Sequence, residues 1–522
     1  MTLFKTLNTR LSDYFTEKRL KNLFMFLFVL SLIPIIALCF FDYATGDDLL
    51  VGSVVMEARR NGLGFWGTTK AIFTSIYQYW LTFEGTWFSE FLWRLEPSVW
   101  GERVYTVTGF IGLLALTVGP FLLLKELLVE LLKLSKNSFL IFYFAFEIIL
   151  IQYMPSTKGG LYFYCGMIMY TLSFGMACTA ISWGLRFIRT GKKHLLIFSS
   201  IVLTLVGGMG YPDIMFAGVT AFFIIVNAFV VDKDRRKQAL LLIIPLVLLA
   251  IGFGVSAIAP GNSVRGGESF SWSIGEVFMT LLLSLKNGIV QIPQYLISVR
   301  PLFIYYIGLI LFAWARIDTS KSLLKLDHPI IVTIELYLIS SSTYAPEMFV
   351  REGVDAGISG GVYNTYYLVF LMCTSLALIY VVGFIKARVA DRCKGVCDPS
   401  KISYCGKIPY MAFVVLFILV FGRHLVSNMF DYKCITFASS GRLADFVAQM
   451  EERNAILNDP TITDPVLPLM NDDQGPYMHM AILEGEGDYT NYATALFYGK
   501  NSVIGMNRDE WYERYEELYG QK

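Results

Sequence analysis

Apolar runs of about twenty residues recur along most of this chain, separated by short polar joints. At 1.5 Å per residue such a run matches the roughly 30 Å hydrocarbon core of a bilayer. Eleven segments qualify, near 22–41, 104–124, 138–154, 160–185, 195–210, 212–231, 239–258, 301–316, 329–345, 362–386 and 408–428. Only 16% of the residues are charged, against about 25% in an ordinary soluble domain. The expected fold is an α-helical polytopic membrane protein surrounded by membrane lipids. The net charge of +1 says nothing about nucleic acid and no basic tract suggests it, so no nucleic-acid partner is expected. Cys393, Cys397 and Cys405 lack a fourth ligand and a nearby His, so they read as free thiols rather than a zinc site.

Lys and Arg set the orientation. The leader, residues 1–21, carries five of them before the first span, and no cleavage site follows that span. With the N-terminus inside and spans alternating, the inner segments hold 25 of the 43 basic residues. The alternation requires that 271–297, with Glu276, Lys286 and Pro293, lie in the interface instead of crossing. The membrane domain then covers 22–429, the C-terminus is outside, and every unusual polar joint falls on the outer face. These joints are "DYATGDD" (42–48), "MPSTKGG" (154–160), "GYPD" (210–213), "APGNSVRGGE" (259–268) and "YAPEMFVREG" (344–353).

Two outer segments are too long to be connectors. The first loop, 42–103, is aromatic and broken by Gly and Pro, which predicts amphipathic helices lying in the interface. Its Trp66, Tyr77, Trp80, Trp87 and Trp93 suit an interfacial belt better than a sugar platform. The tail, 430–522, has 16 Asp/Glu against 7 Lys/Arg. "GRLADFVAQMEERNAIL" has helical periodicity and "DPVLPLM" and "NSVIGM" read as short strands, predicting a small α/β lobe outside.

A basic leader, one span, acids just beyond it, a long interfacial loop and some ten further spans resemble the GT-C class of membrane glycosyltransferases. The resemblance is carried by "GDDL", "GGLYFYCGMIMYTL", "APGNSVR" and "NYATALFYGKNSV". The chain departs from that class at 359–364, where "SGGVYN" replaces an Arg-rich turn. The resemblance implies a GT-C-like fold, with a polyprenyl-phosphate sugar as donor and a cell-envelope glycan or glycolipid as acceptor. It places the enzyme in a bacterial plasma membrane and the catalytic acid where Asp47 and Asp48 stand. A carboxylate there is suited to take the acceptor hydroxyl's proton, and a second acid to hold Mg2+ or Mn2+ against the donor phosphate. The plain alternative for either acid is the cap of the helix that follows.

A leaving phosphate needs cations, and the outer joints offer Lys158, Arg265 and Arg351. Headgroup contact or pairing with an acid is the plain reading of each. Asn262 helps turn the chain ahead of Arg265. Asp213, directly behind a Pro at a span entrance, is a further candidate whose plain role is a helix start, and Glu147 is an acid within a span. A transporter or flippase for a lipid-linked glycan is the alternative to an enzyme, and a non-catalytic envelope-assembly protein is the third reading.

Overall fold

The computed structural model describes residues 16–231, 233–266, 273–350, 360–393, 399–471, 474–485 and 487–519. The fold is a bundle of apolar helices with a helical loop and the tail gathered on one of its faces. Among the described residues six helices are long and apolar enough to cross a membrane: Glu17–Cys39, Glu102–Leu131, Tyr164–Thr190, Tyr211–Val230, Arg236–Ala257 and Gly360–Arg392. Counting each of two bent pairs as one span gives up to eight among the described residues, so six to eight of the eleven expected spans are seen as full-length apolar helices.

The difference comes from helix length rather than apolarity. The expected spans near 138–154, 195–210 and 329–345 form helices of 17, 14 and 14 residues. At 1.5 Å per residue these are about 21–26 Å long, the first at the lower limit of a usual crossing and the other two below it. The segment 408–428 lies in a helix that meets the next one at 65°. Ile274–Ser298 and Pro301–Arg316 meet at 103°, so the two cannot both follow the membrane normal. Val299 is the residue that leaves helical backbone, and Pro301 then opens the second helix at its first position, where its missing N–H costs nothing.

Close backbone approach holds the bundle centre together. A Cβ on Gly175 would lie 2.5 Å from the Ala115 carbonyl oxygen, and one on Gly119 would lie 2.4 Å from the Gly175 oxygen. Small residues at such crossings replace the hydrophobic drive that lipid cannot supply.

Past the first span, the loop folds into helices Asp47–Arg60, Phe65–Thr82 and Trp87–Trp93. Phe65, Trp66, Phe73 and Tyr77 are exposed along one side of the second. Trp80, Trp87 and Trp93 instead pin the loop, donating from their indoles to the carbonyls of Val255, Gly252 and Cys165 at 2.9, 3.1 and 3.0 Å.

In the tail, helices Phe430–Ser439 and Arg442–Leu457 precede a parallel pair of short strands, Val466–Pro468 with Ile504–Met506. Helix Tyr489–Tyr498 packs along Asp47–Arg60, and Phe430–Ser439 packs on the first span. Arg60 clamps the end of the tail helix, donating to Leu496 and Phe497 carbonyls at 2.7 Å each. Tyr477 reaches the end of the first span, its hydroxyl 2.7 Å from the Leu38 carbonyl. Loop and tail therefore share one face of the bundle.

Candidate functional site

The two adjacent acids have opposite fates. Asp47 and Asp48 are the first two residues of their helix, behind Gly46, whose φ of +48° favours glycine. Neither acid is the cap of its own helix. At two successive helical positions the side chains diverge by about 100°, so one turns inward and the other toward the tail.

Asp48 is 0% exposed. It accepts from the Tyr105 hydroxyl, from the Cys165 N–H at 2.9 Å and from the Tyr164 N–H at 3.3 Å. Tyr164 and Cys165 open the span Tyr164–Thr190, and Phe163 before them supplies no side-chain cap. Asp48 thus caps a distant membrane helix, satisfying N–H groups that would otherwise be orphaned in a dry interior. Burial raises its carboxyl to about 6, against the lowering effect of the Tyr105 and Cys165 hydrogen bonds.

Asp47 is partly exposed and accepts from the tail's Tyr489 hydroxyl at 2.6 Å. The Tyr79 phenol lies within the field of Asp47, Glu84, Glu90 and Arg94. Arg265 ion-pairs with Glu84 and lies over the Phe83 ring, 4.6 Å from its centroid, with its side chain 56% exposed. Glu90 and Arg94 form a fully buried pair under this surface. A chain of neighbours thus links Asp47 through Tyr79 and Glu84 to Arg265.

The other candidates separate. Asn262 is a strut: its amide donates to the Ser256 and Ala257 carbonyls at 2.8 and 3.2 Å and accepts from the Gly85 N–H at 3.2 Å. This holds the Arg265 turn against the loop. Lys158 is exposed on helix Thr157–Leu161, in a turn held by the Asn364 amide through Ser156 at 2.7 and 2.8 Å. It faces the tail at His479, not Arg265. Asp213 is buried in the bundle, with Thr365 3.4 Å from one oxygen and no partner on the other. Glu147 is buried with neither oxygen hydrogen-bonded. Arg351 lies outside the described residues. Asp42, just past the first span, is buried, and its carboxyl is raised well above the usual range by burial and by Asp48.

Asp48 and Asp47 do not form a ready cation site. Both Asp48 oxygens are held by N–H and O–H donors, which a cation would have to displace. Among the described residues no three acid, His or Cys side chains gather as metal ligands. A cavity of about 150 Å³ lined by Leu123, Phe216, Asn227 and Glu335 opens near the far end of the span Glu102–Leu131. It is some 20 Å or more from the loop by helix rise.

Sequence reading did not find Tyr489, Tyr79, Tyr105 or the Glu90–Arg94 pair. Tyr489 meets Asp47 across 442 positions, and nothing local to either residue marks the other.

The buried loop acids give a pH dependence. Burial raises Glu90 and Glu96 to about 8, as it raises Asp48 to about 6. An acid raised on folding contributes stability that is full below its unfolded value and lost as pH climbs through its folded one. The melting temperature of detergent-purified protein is expected to fall as pH rises from about 5 to about 9. Glu96→Gln is expected to flatten the upper part of that fall. A melting temperature that rises over this range contradicts the burial of these acids.

No protein-family model, curated protein or solved structure matches the chain.

Proposed function

We propose that the protein is a membrane glycosyltransferase of GT-C-like design. It moves a sugar from a polyprenyl-phosphate donor to a hydroxyl of an envelope glycan or glycolipid, on the outer face of the bacterial plasma membrane. The observation that carries this reading is Asp47: a partly exposed carboxylate one short turn past the first span, oriented by Tyr489. It stands where a lipid-phosphate headgroup meets the interface. The acceptor oxygen attacks the anomeric carbon, its proton passes to Asp47, and the bond from that carbon to the phosphate oxygen breaks. The lipid phosphate leaves with the bonding pair, and Arg265, exposed and already oriented by Glu84, receives its charge.

Glu147 and Asp213, buried in the bundle with carboxylate oxygens that have no hydrogen-bond partner among the described residues, favour a second reading, a transporter of lipid-linked glycan. Buried acids inside a span bundle commonly mark such pathways. One experiment separates the two. Purified protein in nanodiscs, given synthetic polyprenyl-phosphate sugars and glycan acceptors, is expected to release polyprenyl phosphate and glycosylated product in equal amounts. No product from any pair, with fluorescent lipid-linked glycan crossing proteoliposomes instead, would establish transport and sink the transferase.

A further inference from the structure

Three basic side chains gather where the tail joins the membrane domain, and among the described residues none has a counter-ion. Arg453 lies on helix Arg442–Leu457, on the face that also buries Phe446 and Met450, and is 4% exposed. Among the described residues its guanidinium has no carboxylate and no hydrogen-bond acceptor. Glu102, which reaches the same helix, accepts instead from the Asn454 amide at 2.7 Å. The His479 ring stands edge-on to Phe446, 6.4 Å between centroids, with a buried and unpartnered Nε2. Lys158 is exposed beside it, makes no ion pair among the described residues, and its charge reaches the His479 ring.

Such a cluster is unfavourable as it stands. Burial and the charge of Arg508 pull Arg453 down to about 10. Burial and the charges of Arg453 and Lys158 hold His479 near 3. Arg508 itself is held by Glu452 at 3.0 Å, yet it keeps a buried nitrogen without a partner. A buried guanidinium is retained where something supplies the missing negative charge and oxygen acceptors.

We propose that Arg453, His479 and Lys158 form a binding site for a phosphate-class anion, a phosphomonoester or diphosphate, at the junction of tail and membrane domain. Arg453 offers its planar fork to two oxygens, His479 its open ring nitrogen, and Lys158 a point charge from the water side. Met480, next to His479, bonds Thr45 through its backbone at 2.9 and 3.3 Å. The anion therefore sits next to the acid loop. The site takes its ligand from a lipid headgroup or from free phosphate, since the chemistry is the same. It stands apart from the transferase reading because its readout is binding, not turnover.

The test uses the full chain in phosphatidylcholine nanodiscs, with and without phosphatidic acid, titrated with inorganic phosphate or pyrophosphate against chloride of equal ionic strength. The melting temperature is expected to rise with at least one probe. A rise with the soluble anions assigns free phosphate, and a rise only with phosphatidic acid assigns a headgroup. Arg453→Met is expected to melt higher than wild type without phosphate, since it removes an unpaired buried charge. It is expected to lose the anion-dependent rise, with half-saturation weakened about tenfold or more. Lys158→Ala, an exposed change that spares the fold, is expected to weaken the response in the same direction. No shift with any probe overturns the proposal, as does a wild-type response in both variants. So does an Arg453→Met that melts lower in the absence of phosphate.

Discussion

Asp47→Asn is expected to lower sugar transfer about 10²- to 10⁴-fold, the usual loss when a positioned general base is removed. The change keeps size and an oxygen able to accept from Tyr489, whose hydroxyl lies 2.6 Å from the carboxylate. Asp47 caps no helix and is not buried, so folding and melting temperature should stay close to wild type. Donor binding should also stay near wild type, because the phosphate is assigned to Arg265 and not to the acid. Arg265→Lys should do the reverse, weakening donor binding as a point charge replaces a fork. Transfer assays with a synthetic lipid-phosphate sugar, run beside thermal melts, decide the matter. Near-wild-type turnover in Asp47→Asn would remove Asp47 from the reaction.

The neighbouring substitution acts on the fold instead. Asp48→Ala leaves the Tyr105 hydroxyl and the Cys165 N–H without an acceptor in a fully buried site, while the Tyr164 N–H keeps the Tyr105 oxygen at 3.2 Å. Each buried polar group left unmade costs about 1–3 kcal/mol, so the sum is about 2 kcal/mol or more. That is a large part of the stability of most domains. Asp48→Ala should give little folded protein in detergent, or a melting temperature far below wild type. Asp48→Asn, which keeps an acceptor oxygen, should fall between the two. An Asp48→Ala protein that melts like wild type would mean the cap on the span Tyr164–Thr190 carries no weight.

These two residues also mark the limit of sequence reading. Hydropathy located the membrane class and most helices, because apolar runs of this length have few alternatives. It did not mark where those helices bend or stop, because a run of apolar residues carries no such signal. The 103° corner before Pro301 and the 14-residue helix Pro329–Ser342 are set by local backbone and packing. The pair "DD" was visible as a candidate, but its division into one buried cap and one partly exposed carboxylate depends on the turn at Gly46 and on partners more than a hundred residues away. Arg265 was legible as an available cation, whereas its anchoring by Glu84 and Phe83 needed the loop folded against it. Lys158 was grouped with Arg265 on charge alone, and the fold places it with Arg453 and His479 instead.

The clasp between the first loop and the tail has a consequence for how the protein is made. Thr45 bonds Met480 across 435 positions, and Asp47 meets Tyr489 across 442. A ribosome adding about 5–20 residues per second needs roughly 20–90 s to get from one side of that clasp to the other. For that interval the loop and its acids have been made and their covering helix has not. A chain interrupted before residue 480 would already carry its apolar helices yet lack the segment that meets Asp47, so the loop acids wait for a partner translated long after them.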